Sequence, residues 1–157
     1  MVEIIAYTDG ACSLTEVDQY GNSYGKGGYG IVIIEDNKII HTYNKGTIKT
    51  TNNAEELKAI AAAIEYVKSK KEKFSLIIYS DSAYCVNIFS GPTWARGWEK
   101  NNWKRTKNQP IKNLKLIQYI WHDIKKHNIN VVKVKGHNNV LYNEMADKLA
   151  VEAKLNV

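Results

Sequence analysis

Along the chain, apolar side chains fall into short blocks whose spacing switches between that of strands and that of helices. Glu3 to Thr8 reads as a first strand running into Asp9-Gly10, and Gly28 to Ile34 with Lys38 to Thr47 reads as a hairpin turning on Glu-Asp-Asn-Lys. Between them, Thr15 to Lys26 is polar and rich in turn residues, which predicts a loop. From Asn53 to Ser69, Leu57, Ile60, Ala61, Ile64 and Val67 recur at helical spacing, with Asn52-Asn53 offering an N-cap. Phe74 to Tyr79 is nearly continuous in apolar residues, as expected of a strand buried on both faces. A short helix is expected after Asp81, and Gly91-Pro92 then breaks the chain. Leu114 to His127 predicts a helix, Asn130 to Val134 a strand and Asn143 to Lys154 a closing helix. The order β-β-β-α-β-α-α-β-α predicts an α/β fold: a mixed five-stranded sheet, three antiparallel strands and then two parallel ones, flanked by helices.

Composition narrows the class. With 157 residues, 44% of them apolar, the chain fits one domain with its own core, expected to span 1–157. Two cysteines, Cys12 and Cys85, build no disulfide framework and sit in no zinc pattern, so a reducing, cytoplasmic setting is expected. The longest apolar runs, such as Ala59 to Ile64, are far below the ~18 residues of a membrane span, and the acid in MVEIIAYTDG does not suit a secretory signal. No membrane partner is expected, and with no heptads and no spare apolar stripe the default is a monomer. The formal charge of +6 is concentrated: Trp94 to His137 holds eleven Lys or Arg against two acids, on a body that is otherwise slightly acidic. Such a block suits either a localised polyanion or a merely solvated face.

Four acids stand out. Asp9 follows the first strand and Asp81 the buried one, each before a small residue (Gly10, Ser82) that lets the backbone turn away. If those strands are parallel neighbours, both carboxylates meet at one sheet end, where α/β ligands collect. Glu56 shares a helix face with Ile60, Ala63 and Val67, which aims it inward; with Asn53 as N-cap it would instead complete a capping box. Asp147 lies near the start of the last helix, where an acid also suits the helix dipole. Four gathered acids repel one another unless cations neutralise them, and all-oxygen ligands suit Mg²⁺ or Mn²⁺. Two such ions ~4 Å apart serve in-line phosphoryl displacement. The stretch Gly25-Lys26-Gly27-Gly28-Tyr29-Gly30 matches G-x-G-x-x-G by letter, but it enters a strand where a dinucleotide site must leave one, so it reads as turn and strand glycines.

Taken together, five stretches in order resemble ribonuclease H of type 1, the bacterial ribonuclease HI family. They are Tyr7-Thr8-Asp9-Gly10-Ala11-Cys12, Gly27-Gly28-Tyr29-Gly30, Thr50-Thr51-Asn52-Asn53-Ala54-Glu55-Glu56-Leu57, Ser80-Asp81-Ser82-Ala83-Tyr84, and Val134-Lys135-Gly136-His137 with Asn143-Glu144-Met145-Ala146-Asp147. The resemblance implies a ribonuclease H-like sheet in which Asp9, Glu56, Asp81 and Asp147 hold two Mg²⁺ ions, Mn²⁺ substituting. It also implies cleavage of the RNA strand of an RNA–DNA hybrid, leaving 3′-hydroxyl and 5′-phosphate ends. His137 matches the family's mobile histidine that assists the leaving group or product release.

The basic block then resembles the family's handle, expected at about 92–112, with Trp94, Trp98 and Trp103 interleaved among Arg96, Lys100, Lys104 and Arg105. Lys49, Thr51 and Asn113 match positions that cradle a DNA-strand phosphate. Asn52 and Asn53, with backbone at Gly10 and Cys12, match positions near the RNA minor groove, where a 2′-hydroxyl both donates and accepts. Trp94 and Trp98 could equally pack inward, and one asparagine could cap the helix. Three departures stand out: a long Ser13 to Lys26 loop, Ala83 in place of an amide, and Glu99 inside the handle. A non-catalytic nucleic-acid-binding module and a nuclease acting on duplex DNA are the alternatives to hybrid cleavage.

Overall fold

The computed structural model describes residues 1–105, 107, 109–134 and 140–157, the side chain of Val140 excepted. In chain order the elements are β1 (Val2–Cys12), β2 (Glu16–Val17), β3 (Ser23–Glu35), β4 (Lys38–Thr50), α1 (Asn52–Lys70), β5 (Phe74–Ser80), α2 (Ala83–Phe89), α3 (Trp94–Lys100), α4 (Leu114–Lys126), β6 (Asn128–Lys133) and α5 (Val140–Leu155). The sheet runs β4-β3-β1-β5-β6, with short β2 pairing the start of β3. β1 is antiparallel to β3 and parallel to β5, and β5 is parallel to β6.

This is the expected mixed sheet with one strand added. Thr15 to Lys26 is not wholly loop: Glu16 and Val17 pair with Tyr24 and Ser23. Polar composition hid this hairpin because its backbone bonds, not a buried face, hold it together. α3 is likewise an extra helix in the basic block.

Alternation along the strands sorts side chains onto two faces. Ile4 and Ala6 of β1, Ile31 and Ile33 of β3, Leu76 and Ile78 of β5 and Val131 of β6 form a core with Leu57, Ile60 and Ile64 of α1 and Ile117 and Ile120 of α4. The opposite faces of β1 and β3 present Tyr7, Val32 and Ile34 to α5, which contributes Ala146, Met145 and Leu149. Tyr7 stacks on Tyr79 at 5.1 Å and meets Tyr142 of α5 at 5.4 Å, tying the helix to the sheet.

Two glycines set how near the helices come. A Cβ on Gly10 would lie 2.5 Å from the Glu56 amide nitrogen, so the start of α1 rests directly on β1. A Cβ on Gly30 would lie 2.5 Å from the Ala146 carbonyl oxygen and 2.6 Å from the Leu149 Cβ, so α5 crosses β3 at backbone contact. The G-x-G-x-x-G letters therefore serve packing within β3, as their strand setting implied. Gly30→Ala has no space that a rotamer change could free. It should destabilise the fold by roughly 1–3 kcal/mol, read as a lowered urea midpoint at unchanged slope.

Candidate active site

The register of the sheet brings the first two acids together. Thr8 pairs with Ser80 across parallel β1 and β5, so the next residues, Asp9 and Asp81, share one sheet end. β1 continues past Asp9, which pairs with Gly30, and β5 stops at Ser80; Asp81 leads into α2, which Ser82 caps by accepting from Cys85 N at 3.1 Å.

Glu56 enters from α1. The N-cap of that helix is Thr51, whose Oγ1 accepts from Ala54 N at 3.2 Å; neither Asn52 nor Asn53 caps it. Starting at Asn52, the helix puts Ala54 at its third position, so the capping-box role for Glu56 is excluded. Threonine and asparagine both cap well, and the sequence did not separate them. Both asparagine side chains remain exposed.

Carboxylate oxygens of Asp9, Glu56 and Asp81 lie within 4.8 Å of one another, and Asp147 of α5, outside that trio, is near enough to Asp9 to push its pKa up. Asp9 and Glu56 are buried, whereas Asp81 and Asp147 are exposed. Gly10 N–H donates to Asp9 Oδ1 at 2.9 Å, while Glu56 Oε2 is buried without a hydrogen-bond partner. Burial raises the pKa of both groups. The nearby Glu56 and Asp81 charges raise Asp9 further, and Asp81 raises Glu56. An unpartnered buried oxygen among converging all-oxygen donors fits a hard divalent cation, which would relieve the repulsion.

Glu55 stands apart from this cluster. One residue along the helix it faces elsewhere: wholly buried, it accepts from Thr50 Oγ1 at 2.6 Å and pairs with Lys58 at 2.8 Å. Lys133, not foreseen from the sequence, donates from Nζ to the Asp81 carbonyl, and its charge favours ionised Glu56. Its only signal was its place at the end of the strand beside β5.

A groove of ≈ 450 Å³ runs past the start of α1, the helix that carries Glu56. Thr51, Asn53, Trp94, Trp98, Arg105 and Asn113 line it, and so do Tyr84, Ile111 and Lys112, which had not been singled out. Gly10, Cys12, Lys49 and Asn52 lie outside that lining, as do Arg96, Lys100, Trp103 and Lys104. Cys12 Sγ instead faces the Thr50 carbonyl at 3.4 Å. Trp98 and Trp103 pack partly on the core, and Trp94 stays 40% exposed, 6.1 Å from Trp98. Arg96 lies over the Trp121 ring at 5.6 Å, while Lys100 and Lys104 are exposed. Glu99 is explained: it accepts from Trp121 Nε1 at 3.2 Å and pairs with Lys125, so it ties α3 to α4. His137 lies outside the described residues.

The pH consequence follows from the raised carboxylates. An acid whose pKa is higher in the folded state contributes most below its ordinary range, near 4, and that contribution is lost as pH rises through the folded value. Metal-free protein should therefore lose the Glu56 contribution between pH 4.5 and about 7, and the Asp9 contribution from pH 3.8 up to about 10. In EDTA, Asp9→Asn should raise the urea midpoint at pH 8 and change it little near pH 4. Millimolar Mg²⁺ should raise the thermal midpoint of the unsubstituted protein more at pH 8 than at pH 5.

Comparison with known proteins identifies the family. The RNase H family model matches residues 1–154. Ribonuclease H of Clostridium botulinum (strain Hall) is 41% identical over 155 residues, covering 98% of this chain and 96% of its own. Ribonuclease H of Caldicellulosiruptor saccharolyticus is 38% identical over 152 residues, covering 96% and 94%. Among solved structures, LC9-RNase H1, a type 1 RNase H with the type 2 active-site motif, superposes with a TM-score of 0.80 at 25% identity over 99% of this chain and 73% of that one. LC11-RNase H1 in complex with RNA/DNA hybrid gives 0.68 at 21% identity over 98% and 97%, a likeness of fold. With residues 1–154 matched by the family model and a relative 41% identical over 98% of the chain, the chain belongs to the RNase H family.

Proposed function

We propose that this protein is an endonuclease that hydrolyses the RNA strand of RNA–DNA hybrids by two-metal-ion catalysis, leaving 3′-hydroxyl and 5′-phosphate ends. The observation that carries the proposal is the approach of Asp9, Glu56 and Asp81 oxygens to within 4.8 Å, with Asp147 beside Asp9. Family membership supports it, as does the fold shared with LC11-RNase H1, a protein seen in complex with a hybrid.

In this reading Asp9, Glu56, Asp81 and Asp147 would hold the two ions, and Glu56 would also bind the ribose 2′-hydroxyl. Two Mg²⁺ ions, or Mn²⁺ in their place, would supply an activated water and charge neutralisation at the leaving oxygen. The burial of Asp9 and Glu56 keeps their oxygens oriented, so little reorganisation is needed as charge develops. His137 would aid departure of the 3′-oxygen.

The groove receives the DNA strand. Thr51 and Asn113, with Lys49 nearby, take a phosphate, while Trp94 and Trp98 offer flat faces to sugars. Asn53, freed from capping, faces the minor groove with Asn52 and the Gly10 and Cys12 backbone. Arg96, Lys100, Trp103, Lys104 and Arg105 form the rest of the handle at about 92–112. Within one domain spanning 1–157, a cytoplasmic monomer suffices for all of this.

Three measurements test the proposal. With Mg²⁺, labelled hybrid should be cut while duplex DNA and duplex RNA are spared, and EDTA should stop the reaction. Cutting of duplex DNA, or of nothing, would overturn the substrate assignment. Asp81→Asn should lower kcat by roughly 10³-fold or more without unfolding the chain. His137→Ala should cost about 10²-fold in kcat with hybrid affinity kept.

A further inference from the structure

The β2–β3 hairpin has no part in the function described so far, yet it is braced at base and tip. At its base, Ser13 N donates to the Lys26 carbonyl at 2.9 Å, and a Cβ on Gly25 would strike the Ser13 carbonyl oxygen at 1.8 Å, so the two arms touch at backbone distance. At its tip, Asp18 Oδ1 accepts from Tyr20 N at 2.8 Å and Asn22 N at 2.9 Å, while Gly21 takes a positive φ of 82°.

From this frame two side chains reach lysines beside the groove. Lys49 Nζ sits 4.6 Å from the centroid of the Tyr24 ring, and Lys112 Nζ donates to Asn22 Oδ1 at 3.4 Å. The sheet helps to aim Lys49. Gly25 pairs with Thr50 but Gly27 pairs with Thr47, so β4 carries one residue more than β3 across this register shift, beside Lys49. Lys112 lines the groove, and Lys49 stands two residues before Thr51, which lines it too.

We infer that the hairpin is a positioning device for nucleic acid: Tyr24 and Asn22 hold Lys49 and Lys112 in place to receive the phosphates of the groove-bound strand. The inference rests on the hybrid-binding reading above. The hairpin is not itself the phosphate ligand, since Glu16 and Asp18 make it acidic and Asp18 is occupied within its own turn. Its influence runs through the lysines. A free lysine side chain samples many rotamers, and ordering it on binding costs affinity; a lysine already laid over an aromatic face bears less of that cost. Neither tyrosine nor asparagine reaches the acids, so the step affected is binding and not chemistry.

The test uses Tyr24→Leu, Tyr24→Phe and Asn22→Ala, with Tyr24→Leu repeated in a Lys49→Ala background. Cleavage of a labelled 20-mer hybrid gives kcat and KM, and direct titration of that hybrid onto Asp81→Asn forms gives affinity without cutting. Tyr24→Leu should raise KM and weaken binding roughly three- to tenfold with kcat unchanged, and Tyr24→Phe should restore both. In the Lys49→Ala background Tyr24→Leu should have no further effect, since the lysine it positions is gone. Asn22→Ala should weaken binding to a smaller extent. An unchanged KM for Tyr24→Leu, an equal loss in the Lys49→Ala background, or a fall in kcat alone would each overturn the inference. Cleavage by the unsubstituted protein separates the two readings: if hybrid is cut while Tyr24→Leu is neutral, only the hairpin's role fails. If hybrid is neither cut nor bound, both fail.

Discussion

Mutual repulsion among carboxylates is the constraint around which the structure is arranged. Asp9 and Glu56 are removed from water and brought close to Asp81, and each of those facts disfavours ionisation. Nothing local rewards such a cluster, so the rest of the fold has to impose it. It does so with rigid parts: the parallel register of β1 and β5, and two helices seated on the sheet at backbone distance. Gly10 lets α1 in, and Gly30, with Gly28 and Gly46 farther along, lets α5 in; each helix carries one of the acids toward Asp9. The same closeness that makes the metal-free state uneasy makes the cluster a good host for divalent cations.

A second arrangement keeps the basic segment from collapsing onto that negative centre. α3 is pinned to α4, not to the acids, because Glu99 bridges to Trp121 and Lys125 and Arg96 lies over the Trp121 ring. The isolated acid in a basic run thus acts as a tether. Tryptophans divide the labour by depth, Trp98 and Trp103 leaning on the core while Trp94 keeps a face toward the groove. The inward and outward readings of these residues were never exclusive, since an indole is large enough to pack on one edge and remain open on the other.

What was legible in the sequence is what periodicity and order encode. The strand sequence, the buried run of β5, the inward face of α1 and the meeting of Asp9 with Asp81 all follow from patterns of two and 3.6 residues plus the rule for ligands at strand ends. Contributions from single hydrogen bonds were not legible. Thr51 rather than an asparagine caps α1, Lys133 comes up beside Asp81, and Glu55 is buried with Thr50 and Lys58 one residue from a site acid. Each of these depends on which of several suitable groups lies nearest once the chain is packed. The hairpin at 16–24 was missed for a related reason: a two-residue strand held by backbone bonds leaves no apolar signature.

Charge placement then joins the two halves of the molecule. An acidic pocket by itself would repel a polyanion, so a nuclease that binds through carboxylates needs cations a short way off to hold the strand while the pocket is neutralised by metal. In the proposed reading Arg105 and Lys112 in the groove serve that purpose on one flank, and Lys49 serves it at the end of β4. These groups differ in kind. Arg105 presents a planar guanidinium fork, whereas Lys49 and Lys112 present single ammonium charges on flexible stems, which a neighbouring surface can steady. Tyr24 and Asn22 provide such a surface from a hairpin that contributes no net positive charge of its own. In the proposed reading strand capture is separated from catalysis: the grip is tuned through Tyr24 and Asn22, which make no contact with the carboxylates, while the carboxylates stay fixed by glycines that cannot be enlarged.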